Sequence, residues 1–435
     1  MKTLAVRIIL IYFFVQAVPL DWKFFQQLLS IDWSQLHYGD IFNIAHYMPQ
    51  FYQEGQYYSN WAVVLVLAII GGIAWHAYDK QAQHDLQAIY YWVRAIVRYR
   101  LAIGILAYGF LKFFPLQSPY PSFSILNTPY GDFTRWKLFS ITLGIVPSYE
   151  RFLGLFEILL ALGLFYRKTA SLSAFLVIIF TGNVFMSNLA YEGGEHVYSL
   201  YLIALAVFVL AYDLQRIISL VVLQKPTAPG RFNPPFTVNW LRYSRWAVKL
   251  GLFGFFVLLY GFKTGVGYYE DAYQYPRTKV LPQLAGLYNV EKFQLNDSTL
   301  PYSKTDPVRW QDVVFEEWNT ISIKSNRPVI IDSSNVEKIL RDDAERTYEL
   351  EGSIGRHYYR YEADTVTRVL TLYNKNKHYS GEKLVLHYDS DTAGRILLRG
   401  INENNDSVNV VLSKIDKKYL LKEVERQGRR KPLTL

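Results

Sequence analysis

The chain has no cysteine. That excludes disulfides, thiolate nucleophiles, cysteine-ligated iron–sulfur clusters and haem held through thioethers. It leaves the compartment open, because an extracytoplasmic domain can do without disulfides. The sequence also lacks a phosphate-cradling glycine loop, an HExxH pair and a nucleophile elbow. P-loop, zincin and α/β-hydrolase chemistries therefore have no motif to stand on. Long apolar runs are missing too, but only from residues 263–435.

Before residue 262 they dominate. Seven apolar stretches cover 4–20, 60–77, 101–115, 152–166, 170–188, 197–212 and 245–262. Mean hydropathy over the whole chain is only +0.04, the average of two unlike halves. A helix needs about 20 apolar residues to cross a bilayer core, with a range of about 17–25. The stretches 101–115 and 152–166 are short and rely on flanking Arg, Lys and Tyr reaching the interfaces. Tyrosine is abundant, with 35 copies, and Tyr57, Tyr58, Tyr78, Tyr166, Tyr191 and Tyr212 stand at stretch ends, as an interfacial belt requires. The pattern predicts an α-helical membrane bundle of seven spans.

Cytoplasmic loops collect Lys and Arg. Lys80, Arg94, Arg98 and Arg100 follow the second stretch, and Arg167 and Lys168 follow the fourth. Lys225, Arg231, Arg242 and Arg245 follow the sixth. The alternate loops are poorer: 21–58 has only Lys23, 116–149 has Arg135 and Lys137, and 189–196 has neither residue type. The alternation predicts a cytoplasmic N-terminus and an external C-terminal domain, in the periplasm of a bacterium with this chain in its inner membrane. A competing reading makes the first stretch, with Lys2 before it and Ala17 near its end, a cleaved signal peptide. Cleavage would leave the other spans as they are. The net charge of +9 follows from these loops and does not point to nucleic acid.

Four regions follow. Residues 1–97 hold the first spans, an external amphipathic loop at 21–58 and a basic amphipathic segment at 79–99. Residues 98–216 hold four spans joined by a Pro-, Ser-, Thr- and Gly-rich external loop at 116–148. Residues 217–262 hold a Pro-rich connection and the last span. Residues 263–435 alternate with period two over 290–295, 312–316, 320–324, 328–331, 357–363, 366–373, 383–388, 395–401 and 407–412, then end in a basic tail. Alternation broken by Gly, Asn, Asp and Ser predicts antiparallel strands and an all-β domain, sandwich-like or an open barrel.

Ionisable groups inside a bilayer are costly and mark candidate sites. Lys112, Glu157 and Asn183 fall at similar distances from the outer ends of their spans. Tyr108 lies one turn from Lys112 on the same helical face. Tyr198 and Tyr201 open the sixth span from the same side. Two readings stand for this group. Lys112 and Glu157 neutralise each other and hold the bundle together, since a lone buried charge costs far more than a pair. Or the group binds a polar head, such as a quinone or a lipid, or relays a proton. Glu195 and His196 in an outer turn fall short of the three or four ligands a metal needs, and His76, Asp79, His84 and Asp85 fit an interfacial helix better. Arg309–Trp310 and the run 356–361 mix basic and aromatic residues, as strand packing or a sugar or peptide site would.

Residues 98–117 (RYRLAIGILAYGFLKFFPLQ), 126–133 (LNTPYGDF), 149–174 (YERFLGLFEILLALGLFYRKTASLSA) and 183–202 (NVFMSNLAYEGGEHVYSLYL) resemble the DoxX-like integral membrane family. The shared pattern is an aromatic-Gly-x-x-Lys before a Pro, a Glu within the next span, then a basic Thr turn. The resemblance implies a four-helix core over 98–216 and a link, in some members, to quinones and membrane oxidoreductase complexes. The family has no agreed catalytic set to carry over. The three added spans and the added domain set this chain apart from the bare core. The expectation is an oxidoreductase-associated subunit with a quinone- or lipid-type ligand. The alternative is a non-catalytic scaffold that meets other envelope proteins through the β domain. A third reading is a membrane enzyme acting on lipid or peptide.

Overall fold

A computed structural model describes residues 2–79, 85–228, 239–270, 280–331, 339, 347–391 and 394–428. Thirteen helices occur among them: α1 Lys2–Ala17, α2 Trp22–Ser30, α3 Tyr38–Ala45, α4 Tyr58–Tyr78, α5 Leu86–Phe113, α6 Phe123–Leu126, α7 Arg135–Gly144, α8 Pro147–Phe165, α9 Ala170–Ala190, α10 His196–Ile217, α11 Asn239–Phe253, α12 Tyr260–Glu270 and α13 Leu420–Gln427. The chain forms two compact units. Met1–Pro115 and Ser148–Tyr269 make the first; Leu116–Pro147 and Glu270–Leu435 make the second.

The first unit is helical. Among the described residues, five helical stretches are long and apolar enough to cross a membrane: Thr3–Ser30, Tyr58–Tyr78, Ala170–Ala190, His196–Val222 and Arg242–Glu270. The expected number was seven. The difference lies in α5 and α8, and charge is the reason. The apolar stretch 101–115 and the basic segment before it are one continuous helix, α5, which carries Arg94, Arg98, Arg100 and Lys112. Helix α8 carries Glu150, Arg151 and Glu157 in 19 residues. Both helices belong to the bundle, but neither is a uniformly apolar rod.

Close packing and paired charges assemble these helices. Gly72 of α4 lies against α1 so tightly that a Cβ there would meet Ile8 Cγ1 at 2.5 Å. Small residues permit this kind of approach where no hydrophobic force drives helices together in lipid. Arg7 of α1 pairs with Asp79 just past α4, and its Nη1 lies 2.8 Å from His76 Nδ1. His76 and Asp79 are thereby used as partners of an arginine; His84 lies outside the described residues. Arg94 of α5 donates to Val209 O at 3.0 Å and to Asp213 and Ser171 at 3.0 Å each, joining α5 to α10 and α9. The loop 21–58 is partly built into the bundle: α3 is buried along Tyr38, Ile41, Phe42 and Ala45.

The second unit is a closed barrel; this corrects the sandwich-like form, and of the two expected forms the open barrel comes nearer. Its strands are β1 Gly286–Leu295, β2 Ser298–Leu300, β3 Asp312–Phe315, β4 Thr320–Lys324, β5 Arg356–Asp364, β6 Val369–Asn374, β7 Lys383–Ser390, β8 Ile396–Ile401 and β9 Ser407–Ile415. All pairings are antiparallel in one sheet. Strand β1 pairs with β3 on one edge and with β9 on the other. That closes eight strands and removes the open edges, with β2 left as a short hairpin arm on β1. A register shift between Val290 and Lys292 bends β1 where it turns between its two partners. The stretch 328–331 forms no strand. Inward side chains such as Val313, Phe315, Ile321, Ile323, Tyr361 and Leu370 fill the barrel as one core. In Arg309, the guanidinium donates to the carbonyls of Leu300, Trp310 and Val290, so this buried cation serves the barrel's own backbone.

Residues 116–147, within the external loop expected at 116–148, fold with the strands. Glu316 accepts from Phe123 N at 3.0 Å, Ser124 N at 2.7 Å and Ser124 Oγ at 2.5 Å, capping α6. Thr134 N donates to Gly352 O at 2.9 Å, and Ile354 N to Asp132 O at 2.8 Å. Gly352 has φ +68°, and a Cβ there would meet Thr134 Oγ1 at 2.7 Å. Fully buried Lys137 of α7 donates to Tyr348 O and lies 3.6 Å over the Tyr348 ring.

This packing makes a prediction. A fragment of residues 280–428 joined to 116–147 by a flexible linker is expected to be more stable than 280–428 alone by about 2 kcal/mol or more, since the loss leaves buried Glu316 without its donors. Denaturant titration of the two fragments measures the difference, and equal midpoints would show that α6 and α7 add nothing.

Candidate functional site

Helix α5 sets up the site. Its Gly109 backbone meets Gly154 of α8, where a Cβ would fall 2.6 Å from Gly109 O and 2.3 Å from Phe113 N. One turn along from this contact, Lys112 Nζ donates to Glu157 Oε1 at 2.6 Å, with both side chains almost wholly buried. The close helix approach brings the two charges together, and their attraction offsets part of what burial costs. Lys112 also lies 5.8 Å from the centre of the Tyr108 ring and 5.9 Å from that of Phe180.

Tyr108 continues the polar chain away from Lys112. Its hydroxyl is 3.4 Å from His46 Nε2 and adds a hydrogen bond to Glu195. His46 Nε2 is in turn 3.2 Å from Glu195 Oε2. Gln56 donates to the same carboxylate oxygen at 2.7 Å, and its own oxygen accepts from Tyr198 N at 3.3 Å. The His46 ring packs 4.0 Å from the Tyr198 ring, centre to centre. Glu195 lies outside the spanning stretches, ahead of α10. Burial pushes its carboxyl up, but His46 and the bonds from Gln56 and Tyr108 outweigh that and hold it below 4.5.

His46 is positioned by its neighbours. It is the C-cap of α3. Arg100 of α5 fixes that helix end, donating to Tyr47 O at 2.7 Å and to Ala45 O. Tyr47 donates to Asp21 Oδ2 at 2.6 Å, and burial, with the Asp21 charge beside it, pushes the Tyr47 hydroxyl far up.

Of the residues singled out from sequence, Lys112, Glu157, Tyr108 and Tyr198 meet in one connected group. Tyr201 adjoins it, with its ring 5.8 Å from Tyr198, but its hydroxyl donates to Gln16 O at 2.8 Å. Asn183 stands exposed on α9, apart from the group. His46, Gln56 and Arg100 were missed. They lie in a loop, or in what read as a topology charge, and no spacing in the sequence ties them to Glu195. Glu195 was noted beside His196, but its partner is His46.

Two carboxylate oxygens at the ends of this chain, Glu157 Oε2 and Glu195 Oε1, are buried with no hydrogen-bond partner among the described residues. Orphaned acceptors of this kind are rare in folded proteins and point to a water, an ion, a ligand or a catalytic role. No family model, curated protein sequence or solved structure matches the chain.

Two predictions follow from the geometry. Lys112→Met alone is expected to lower stability in detergent by about 3–5 kcal/mol, the cost of breaking a buried pair, while the double change with Glu157→Leu recovers most of it. Thermal melts of the single and double variants check this. For Glu195, a folded value below the ordinary one means its contribution is fully present above pH 4.5 and is lost as pH falls through the folded value. The midpoint of wild type is therefore expected to drop more steeply below pH 4.5 than that of Glu195→Gln, which a melt series against pH reads directly.

Proposed function

We propose that this is a DoxX-like protein of a bacterial inner membrane, whose helical unit is a proton-handling, quinone-type binding subunit of an oxidoreductase assembly. The observation that carries the reading is the buried chain Glu157–Lys112–Tyr108–His46–Glu195, which ends on two unbonded carboxylate oxygens. A purely structural pair needs only the Lys112–Glu157 contact and none of the groups beyond it. This chain instead strings an acid, an ammonium, a phenol, an imidazole and a second acid within reach of one another. Reduction of a quinone takes up protons at its oxygens, and imidazole and phenol groups are suited to deliver them near neutral pH. In this reading Tyr108 and His46 face the ligand oxygen, Glu195 orients His46, and Lys112 balances Glu157. The motifs at 98–117, 126–133, 149–174 and 183–202 support the DoxX-like assignment.

The distribution of Lys and Arg supports an external position for the second unit. Residues 116–147 share that side with the strands, because they fold with them.

A second reading makes the protein a non-catalytic scaffold that meets envelope proteins through its β unit. The filled barrel interior favours it, since a barrel packed with its own side chains presents only its outside to a partner.

The test is purification in mild detergent followed by solvent extraction and mass spectrometry, then titration with a short-chain quinone. The expected result is a co-purifying quinone-class molecule, with binding weakened at least tenfold in Tyr108→Phe and Glu195→Gln while both variants keep their melting transition. A wild-type protein that carries no quinone and binds none would leave the scaffold reading.

A further inference from the structure

A second feature of the helical unit is a cleft whose lining includes none of Tyr108, His46 and Glu195. It has a volume of about 740 Å³ and runs along α5, with Tyr91, Trp92 and Arg98 among its walls near one end and Ile103 near the other. From residue 91 to 103 a helix rises about 18 Å. The two ends differ in chemistry. Arg98, Arg167, Arg245 and Lys249 line one part, and Ala17, Val18, Phe24, Ile44, Ile103 and Phe256 line the other. No Asp or Glu occurs among the described residues that line it. Arg100 also borders the cleft; its Nη2 donates to the carbonyls at the end of α3, and its Nε, like that of Arg98, is buried without a partner among the described residues.

The cationic end holds like charges together. Lys249 has Arg98 and Arg245 as its charged neighbours. Arg98 Nε is buried without a hydrogen-bond partner among the described residues. Arg98 also has a hydrogen bond with the Tyr99 side chain, and Tyr91 and another cation, Arg94, lie near it. Arg98 is mostly buried while Arg245 is exposed and Lys249 half-buried; like charges gathered there repel, and an anion between them would remove that cost. A long apolar trough leading away from a cluster of cations has the shape and polarity of one amphiphile: a phosphate head at the basic end and an acyl chain along the trough. Basic pockets between membrane helices on the cytoplasmic side recognise such headgroups. The Lys and Arg distribution puts the basic end on that side.

We propose that this cleft is a specific site for an anionic phospholipid, with the phosphate held by Arg98 and Lys249 and flanked by Arg167 and Arg245, and an acyl chain lying against Ile103 and Phe256. The site does not depend on the quinone reading, since it uses other residues and another ligand chemistry.

Full-length protein in detergent is mixed with phosphatidylglycerol, with phosphatidylcholine of the same chains, or with inorganic phosphate. Retained lipid is read by native mass spectrometry and stability by thermal melt. Phosphatidylglycerol is expected to be retained and to raise the melting temperature; phosphatidylcholine and phosphate are not. Arg98→Gln with Lys249→Gln is expected to weaken phosphatidylglycerol retention by about tenfold or more, as removal of two charges from an anionic lipid contact should. Arg98→Lys with Lys249→Arg is expected to keep it. Equal retention of phosphatidylcholine by wild type, a matching shift from phosphate alone, or full retention in the glutamine variant would each overturn the proposal. The wild-type comparison decides even if the glutamine variant does not fold.

Discussion

A charged side chain taken out of water must meet its opposite or a set of carbonyls, and in the helical unit that requirement does much of the assembly. Helix α5 is the clearest case. Arg94 reaches α9 and α10, Arg100 reaches the end of α3, and Lys112 reaches α8. Each contact is a buried cation finding a partner on a different element. Arg7 does the same between α1 and the end of α4. In lipid, apolar faces have little preference for one another over acyl chains, so such ties and the tight glycine contacts select which helices are neighbours.

The β unit obeys the same rule with different means. Arg356, almost wholly buried, donates to Ser322 Oγ at 2.9 Å and pairs with Asp312. Ser322 Oγ is 2.7 Å from Ser124 Oγ, which donates to Glu316. A polar seam thus runs from the barrel wall into α6. Glu316 is raised by burial, which outweighs the donors that favour its charged form, and the nearby Glu349 adds to the rise. Glu349 itself is bonded by Trp318 Nε1 at 3.0 Å and reached by Lys375. Arg309 is used up by the barrel's own carbonyls, and Arg356 bonds Ser322 and Asp312 through Nε and Nη2, while its Nη1 and both ring nitrogens of His357 are buried without a partner among the described residues.

What could be read from the chain alone follows from the range of each interaction. The apolar stretches and the period-two alternation are local, and so most strands and the five apolar helices fell close to where the composition put them. Lys112 and Glu157 were legible as a pair because a cost argument needs only their depth along two helices. Closure of the barrel was not legible: it rests on the pairing of Val290 with Leu412 across the chain, and no local pattern separates a barrel from a sandwich. His46 was illegible for the same reason. Its partner Glu195 is 149 residues away, and its place is fixed by Arg100, which reads from sequence as one more basic residue near a membrane surface. That 116–147 folds with the strands was not legible, because Pro, Ser and Gly content marks a loop without saying what the loop lies against.

That last segment bears on how the protein is made. Helices α6 and α7 leave the ribosome before α8 to α12, and the strands they cover come only afterwards. At synthesis rates of about 5–20 residues per second, the wait is on the order of ten seconds. During it, Ser124 and Lys137 have no Glu316 or Tyr348 to meet. The β unit therefore cannot fold from one end to the other as its strands emerge. Its first piece must be kept, unpaired and unaggregated, until the rest arrives, and a chain interrupted anywhere before Gly286 would carry that piece without a place to put it.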